Sequence, residues 1–214
     1  MIRRAAVVCL SLGILSVLGC TGRHFERAVS LTPQEKVAEV LLPVAALRGD
    51  LVLQQRVTIR WGDNEQSFDA VLQKRGDELL LLGLGPMNRV GFVLTLDDGG
   101  VHFENRSGRD LAFEPERILA DVQRVFYPWI TSEPPCVDCE RYVTRPGLAI
   151  SERIGSAYLE ERRFEDLGES KRGTIIVRYD DWMDRGSIPG RAVLTNDWYG
   201  YELRIVTKSI ERLD

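Results

Sequence analysis

Alternating apolar and polar residues between positions 51 and 103 constrain the fold more than any other feature of the chain. The first segment carries one apolar face, formed by Leu51, Leu53, Val57, Ile59 and Trp61. Only Val52 and Gln55 break its alternation. Similar segments follow at 68–72, 90–96 and 101–103. An uninterrupted apolar run, 79–84, lies among them. A period of two residues turns one face of a strand to a core, and short Gly/Asp turns join antiparallel neighbours, so we predict a meander of at least five strands.

Two other segments have the helical period. Thr32, Pro33 and Glu35 form the capping signal of a short helix that ends before Gly49. Pro115 begins a second helix, with an apolar stripe at Ile118, Leu119, Val122, Val125 and Phe126.

The remainder of the chain continues the strand pattern. The proline-containing segment 131–147 predicts a loop or lid. Further strands are predicted near 156–166, 173–179, 191–194 and 201–207. The fold class is therefore α+β, with a highly twisted antiparallel half-barrel sheet whose concave face is covered by helices.

The N-terminus indicates export. Residues 1–19 have the features of a signal peptide, with Arg3 and Arg4 before an uncharged stretch too short to span a membrane. The sequence at 17–20, Val-Leu-Gly-Cys, resembles the bacterial lipobox, which predicts that Cys20 is lipidated. Residues 20–31 then form a tether and 32–214 a single domain. Because Thr21 replaces the aspartate of inner-membrane retention, we expect the periplasmic face of the outer membrane. The alternative is an ordinary secretory signal with an incidental cysteine.

Cys136 and Cys139 allow three interpretations. A zinc site lacks further ligands at a suitable spacing, and a thioredoxin-like redox site lacks the helix that should follow it. A local disulfide in an oxidising envelope fits best.

Neither catalysis nor nucleic-acid binding is indicated. The net charge of −4 opposes binding to phosphates through bulk charge. His24 and His102 have no evident catalytic partners, and Asp180 and Asp181 are neighbours that would point to opposite faces of a strand. We therefore expect no enzyme activity, no cofactor and no metal.

Several segments resemble LolB, an outer-membrane lipoprotein that receives lipoproteins from the carrier LolA. These are the strand 57–61, the run 79–88, the helix 115–127 and the terminal strands 194–206. The segments 116–123 and 199–203 are more similar to an uncharacterised lipoprotein family that is often encoded with aryl-polyene or fatty-acid-like biosynthesis enzymes.

The LolB resemblance implies a half-barrel whose apolar cavity holds acyl chains such as palmitate. It also implies a membrane-contacting loop at Pro86 and Met87, with Met87 in the place of an exposed leucine. Asn88 departs from the family's glycine, and the Cys-x-x-Cys segment departs as well. The partners implied are the membrane, an acyl or lipoprotein cargo and a LolA-like periplasmic carrier, and we expect a monomer.

The residues expected to line the acyl cavity share an inward position on the predicted strands or helix. They are Trp61, Phe68, Leu72, Leu80, Leu82, Phe92, Leu94, Phe103, Ile118, Val122 and Phe126. We predict a lipid-anchored envelope protein that binds acyl chains of a lipoprotein or polyene lipid and delivers them to the outer membrane. The alternatives are a filled core and a ligand-free anchored scaffold of a biosynthetic or export complex.

Overall fold

The computed structural model describes residues 41–108, 114–131, 136–168, 173–184 and 187–213. All of them belong to one compact unit, Gln34–Asp214. The predicted signal peptide and tether, with Cys20, lie outside the described residues, as does most of the helix predicted from Thr32. Val44–Ala46 form a single turn of 3-10 helix where that segment enters the described part of the chain.

In the described part of the chain, eleven antiparallel strands form one open sheet. The strands are β1 Asp50–Trp61, β2 Asn64–Arg75, β3 Glu78–Leu84, β4 Val90–Asp97, β5 Gly100–Asn105, β6 Cys139–Arg145, β7 Leu148–Ile154, β8 Leu159–Asp166, β9 Thr174–Met183, β10 Ile188–Asn196 and β11 Tyr201–Leu213. Their order is β5-β4-β3-β2-β1-β11-β10-β9-β8-β7-β6. The predicted meander is confirmed, and the first and last strands pair at the centre of the sheet.

One face of the sheet, the inner face, carries the core. Leu53 pairs with Leu72, Leu72 with Leu81, and Leu81 with Leu94, so four leucines lie side by side across β1–β4. All four are buried. Ile205 and Leu194 point to the same side of the sheet as these leucines and are also buried. The inner face therefore extends across both halves of the sheet.

The helix α1, Pro115–Phe126, follows β5 and packs against the inner face of the second half of the sheet. Pro115 occupies its first turn, as predicted, and the chain leaves the helix at Tyr127. Of the two helices expected over the sheet, α1 is the one that falls within the described residues.

The prediction of a loop or lid over 131–147 is wrong, because β6 lies inside it and β7 follows directly. The inward positions of β6 include Arg141 and Arg145 on either side of the apolar Val143. Arg141 donates to the Glu152 carboxylate (2.5 Å), and Arg145 donates to the carbonyl oxygen of Trp129 (3.0 Å). Hydrogen-bonded arginines thus interrupt the apolar alternation that reveals the other strands.

The two ends of the sheet differ. We call the end with the β1–β2 turn, the β3–β4 loop and the β10–β11 turn the Met87 end. The opposite end, with the β2–β3 and β4–β5 turns and the start of β6, is the Cys136 end.

Candidate functional site

Nine of the eleven residues predicted to line a cavity lie on the inner face or on α1. Leu72 and Leu94 have no exposed surface, and Phe92, Val122 and Phe126 belong to the same buried core. Trp61, Phe68 and Ile118 pack against that core and are half-buried. Phe103 faces the same side as Leu94, its partner across β4 and β5, but is more exposed.

The prediction is wrong for Leu80 and Leu82, which lie on the other face of the sheet. Leu81, not Leu80 or Leu82, pairs with both Leu72 and Leu94. Accordingly, Leu79 and Leu81 are buried while Leu80 and Leu82 are partly exposed. A strand that is apolar on both faces has no alternation from which its inward residues can be identified.

The inner face of the first half is filled towards the Cys136 end. Leu51, Leu53, Leu72, Leu79 and Leu94 have no exposed surface, and they form one core with Val44 and Leu47. These five leucines therefore present no accessible apolar surface on that side.

Aromatic residues line the inner face at the Met87 end. The Phe68 and Phe92 rings lie edge to face with centroids 6.1 Å apart, and the Phe92 and Phe103 centroids are 6.4 Å apart. Trp61 and Phe68 keep part of their surface exposed. The aromatic cluster of Trp61, Phe68, Phe92 and Phe103 keeps part of its apolar surface accessible.

The β3–β4 loop lies at the same end and carries Met87 at its tip. Met87 is 82% exposed, the highest value among the large apolar side chains described. The Gly85 amide donates to the Arg89 carbonyl (2.7 Å) and closes the loop. Both Met87 (φ 58°) and Asn88 (φ 56°) have left-handed backbones. Asparagine tolerates that conformation better than most residues, so Asn88 can serve where the LolB motif has glycine.

A buried polar network fixes α1 to the second half of the sheet. Arg162 donates to the Glu152 carboxylate (2.7 Å), to the Tyr179 hydroxyl (3.0 Å) and to the carbonyl oxygen of Arg124 near the end of α1 (2.6 Å). Tyr179 in turn donates to the carbonyl oxygen of Val125 (3.1 Å). Burial raises the pKa of Tyr179 to about 12, although the adjacent Arg162 charge opposes the rise. The final carbonyls of a helix lack helical partners, and here the sheet supplies them.

A second set of contacts holds the first half of α1. The Tyr201 hydroxyl donates to the Asp121 carboxylate, and Asp121 also pairs with Arg124 (2.8 Å). Burial and the Asp121 charge raise the pKa of Tyr201 well above its usual value. Arg117 lies over the Tyr199 ring, 3.6 Å from its centroid. None of these polar residues can be identified from the sequence, because single charged residues within apolar patterns do not reveal their partners.

Gln55 lies on the inner face, and the sequence pattern predicts no role for it. It is 3% exposed, and its Nε2 atom has no hydrogen-bond partner among the residues that the structure describes. Gln55 is the position at which the apolar alternation of β1 fails.

The hollow at the Cys136 end is lined by polar and charged residues and by one glycine. A polar hollow of about 490 Å³ is lined by Arg75, Asp77, Glu78, Asp97, Asp98, Gly99 and His102. In the described ranges, no three His, Cys, Asp or Glu side chains are grouped to hold a metal ion. Cys136 and Cys139 are joined in a disulfide at this end, with their Cα atoms 6.1 Å apart. No described helix is both long and apolar enough to cross a membrane.

The open eleven-stranded sheet with α1 on its inner face is a LolA-like fold. It is similar to a LolA superfamily protein from Nitrosomonas europaea, with a TM-score of 0.50 and 11% identity over 82% of this chain and 95% of that chain. A domain described as an outer-membrane lipoprotein-sorting protein from Vibrio parahaemolyticus gives a TM-score of 0.42 at 11% identity, covering 77% and 85% of the two chains. A DUF1329 family protein from Desulfovibrio piger gives 0.40 at 13%, covering 76% and 85%.

The sequence itself assigns the chain to a family. The model of a protein family of unknown function, DUF3261, matches residues 52–209, and the chain belongs to that family. No curated protein matches the sequence. The structural similarities, at these low identities, establish the fold alone.

Proposed function

We propose that this protein is a lipid-anchored envelope protein that binds acyl chains on the inner face of its sheet and delivers them to the outer membrane. The observation that carries the proposal is the position of the exposed Met87 at the same end of the sheet as the half-buried aromatic cluster. A chain leaving the cluster would emerge beside an apolar loop tip, so both could contact one bilayer. The LolA-like fold and the lipobox at Cys20 support this assignment.

The cargo class follows from the apolar inner face and from the resemblance to LolB. We propose an acyl chain of a lipoprotein, received from a LolA-like carrier, or of a polyene lipid. The similarity to lipoproteins encoded with aryl-polyene biosynthesis enzymes supports the polyene alternative. Each buried methylene contributes roughly 0.8 kcal/mol, so a long chain can offset the ordering costs of binding.

A ligand-free anchored scaffold is the second candidate, favoured by the fully buried leucines of the first half. Native mass spectrometry of the full chain after gentle extraction separates the two functions. Co-purified lipid of defined mass is expected for the acyl-binding protein. A protein that carries no lipid, and takes none up from added palmitoylated peptide, would be a scaffold.

The loop is tested by Met87→Glu, since a charge at the tip opposes insertion into a bilayer. We expect transfer of a fluorescent palmitoylated peptide from the protein to phospholipid vesicles to slow by roughly tenfold. Val137→Glu is the matched control, because Val137 is 65% exposed but lies at the Cys136 end. Equal transfer rates for the two variants would contradict a membrane role for Met87.

A further inference from the structure

A row of small side chains crosses the inner face at the level of Gln55. Gly83 pairs with Ala70, Ala70 with Gln55, and Gln55 with Thr207. The rows on either side are large, with Leu53 and Leu72 towards the Cys136 end and Val57 and Phe68 towards the Met87 end. Neighbouring rows on one face are about 7 Å apart along a strand. Ala70, Gln55 and Thr207 therefore lie in a groove between two apolar ridges, and the Phe92 ring fills that groove at Gly83.

Gln55 places an unpartnered amide in this groove. The side chain is 3% exposed, and its Nε2 finds no acceptor within the described part of the chain. Nearby polar groups are satisfied, since Thr207 Oγ1 donates to the Pro189 carbonyl (2.8 Å) and Lys74 donates to Asp50 (2.9 Å). The other described buried side-chain atoms without partners belong to Arg117, Tyr127 and Arg141, which lie on or after α1 or on β6. Gln55 is thus the one such residue described on β1–β5.

Buried amides without partners destabilise a fold, and a leucine at this position would continue the apolar pattern of β1. A glutamine here is explained if its N–H groups meet an acceptor that arrives with a ligand. A bound chain lying over Ala70, beside the Phe92 ring that covers Gly83, would meet an unused donor at Gln55. The acceptor that an otherwise apolar acyl chain carries is its carbonyl oxygen.

We infer that Gln55 Nε2 donates a hydrogen bond to the carbonyl oxygen of an acyl group bound on the inner face, so that the site prefers acyl esters or amides to plain alkyl chains. The inference rests on the proposed acyl-binding function and specifies its ligand. Gln55 is a specificity residue, and its contribution is separate from the apolar contacts that hold the chain.

The test compares methyl palmitate with octadecane as ligands of the full chain, by displacement of a fluorescent alkyl probe. In Gln55→Leu, the preference for the ester over the alkane should fall about three- to tenfold, the value of one neutral hydrogen bond. Gln54→Leu is the matched control, because Gln54 is exposed on the opposite face of the same strand. Gln55→Met serves as a second substitution if the leucine variant does not fold.

Infrared spectroscopy of carbonyl-labelled methyl palmitate gives a readout that a purely structural role would not change. The carbonyl stretch of the bound ester should lie at lower frequency in the wild type than in Gln55→Leu or Gln55→Met. An unchanged ester preference and an unshifted stretch would overturn the inference while leaving acyl binding intact. Failure of both ligands to bind the wild type would overturn the proposed function as well.

Discussion

The contact between the Phe92 ring and Gly83 determines the local shape of the inner face. The Phe92 ring lies directly over Gly83, and a Cβ atom added at Gly83 would meet the ring edge at 2.0 Å. The glycine is needed for this close approach, and its backbone needs no positive φ. Phe92 therefore closes the groove of small residues at the β4 side.

Gly83→Ala should destabilise the protein by about 1–3 kcal/mol, because the new methyl group forces the Phe92 ring to move within a packed core. Urea unfolding followed by circular dichroism measures the change. The double variant Gly83→Ala/Phe92→Leu should recover most of the loss. Gly91→Ala is the control, since its nearest contact is an ordinary 3.4 Å. Equal effects of the two alanine substitutions would contradict the assigned packing.

Residue-scale prediction from the sequence succeeded where the pattern was unambiguous. The strict alternation around Leu94 and Leu72 identified buried positions, and the turn residues placed Met87 in a loop. It failed at Leu80 and Leu82, where both faces are apolar. It also gave no role to Gln55, since a single break in a pattern does not show whether the amide has a partner.

Polar contacts, as well as apolar packing, hold α1 against the sheet. Arg162 and Tyr179 reach from β8 and β9 to the last carbonyls of α1. A cation near the C-terminal end of a helix also complements the helix dipole. With Trp129 packed edge to face on Phe164 at 5.0 Å, the helix end is anchored on both sides. We therefore regard α1 as a fixed part of the core and not as a movable lid.

Arg162→Met should cost roughly 1.5–3 kcal/mol, because it removes one of the two cations that contact the buried Glu152 and one of the two donors to the carbonyl of Arg124. Thermal and urea unfolding measure the loss. Arg163→Met, one residue further and on the opposite face, should cost under about 1 kcal/mol, since its pair with Glu161 (3.4 Å) is partly exposed. A mild effect of Arg162→Met would show that α1 does not depend on this contact.

The prediction of helices and strands from the sequence depended on the periodicity of apolar residues. It identified α1 and the first five strands because their core-facing positions are mostly apolar. It missed β6, whose inward arginines are neutralised by partners such as Glu152, distant by 11 residues from Arg141. Such ion pairs can be recognised only when the pairing of the two strands is known.

Three buried tyrosines make the free energy of unfolding of the whole molecule depend on pH in the alkaline range. Burial raises the pKa of Tyr127 and of Tyr179 to about 12, and it raises that of Tyr201 further above 10. An unfolded tyrosine ionises near pH 10, so ionisation favours the unfolded chain above that pH. The stability contribution is complete below pH 10 and is lost as the pH rises towards 12.

We expect the free energy of unfolding to be insensitive to these groups up to pH 10 and then to fall by about 2 kcal/mol for each of Tyr127 and Tyr179 by pH 12. Urea titrations at successive pH values measure the fall. Tyr179→Phe should remove its own share, whereas Tyr142→Phe should not, because Tyr142 is 58% exposed. An identical pH profile in Tyr179→Phe and the wild type would contradict the burial of an un-ionised hydroxyl.

The side-chain amide of Gln123 on α1 holds both main-chain groups of Leu42, accepting from its N–H (2.6 Å) and donating to its carbonyl (2.8 Å). Cys20 lies 22 residues before Leu42, which fully extended would reach at most about 75 Å. The longest strand, β11, spans 13 residues, roughly 44 Å. If Cys20 carries the proposed lipid anchor, this extended length is greater than that of the sheet, and the anchor by itself would not select which end of the sheet meets the membrane.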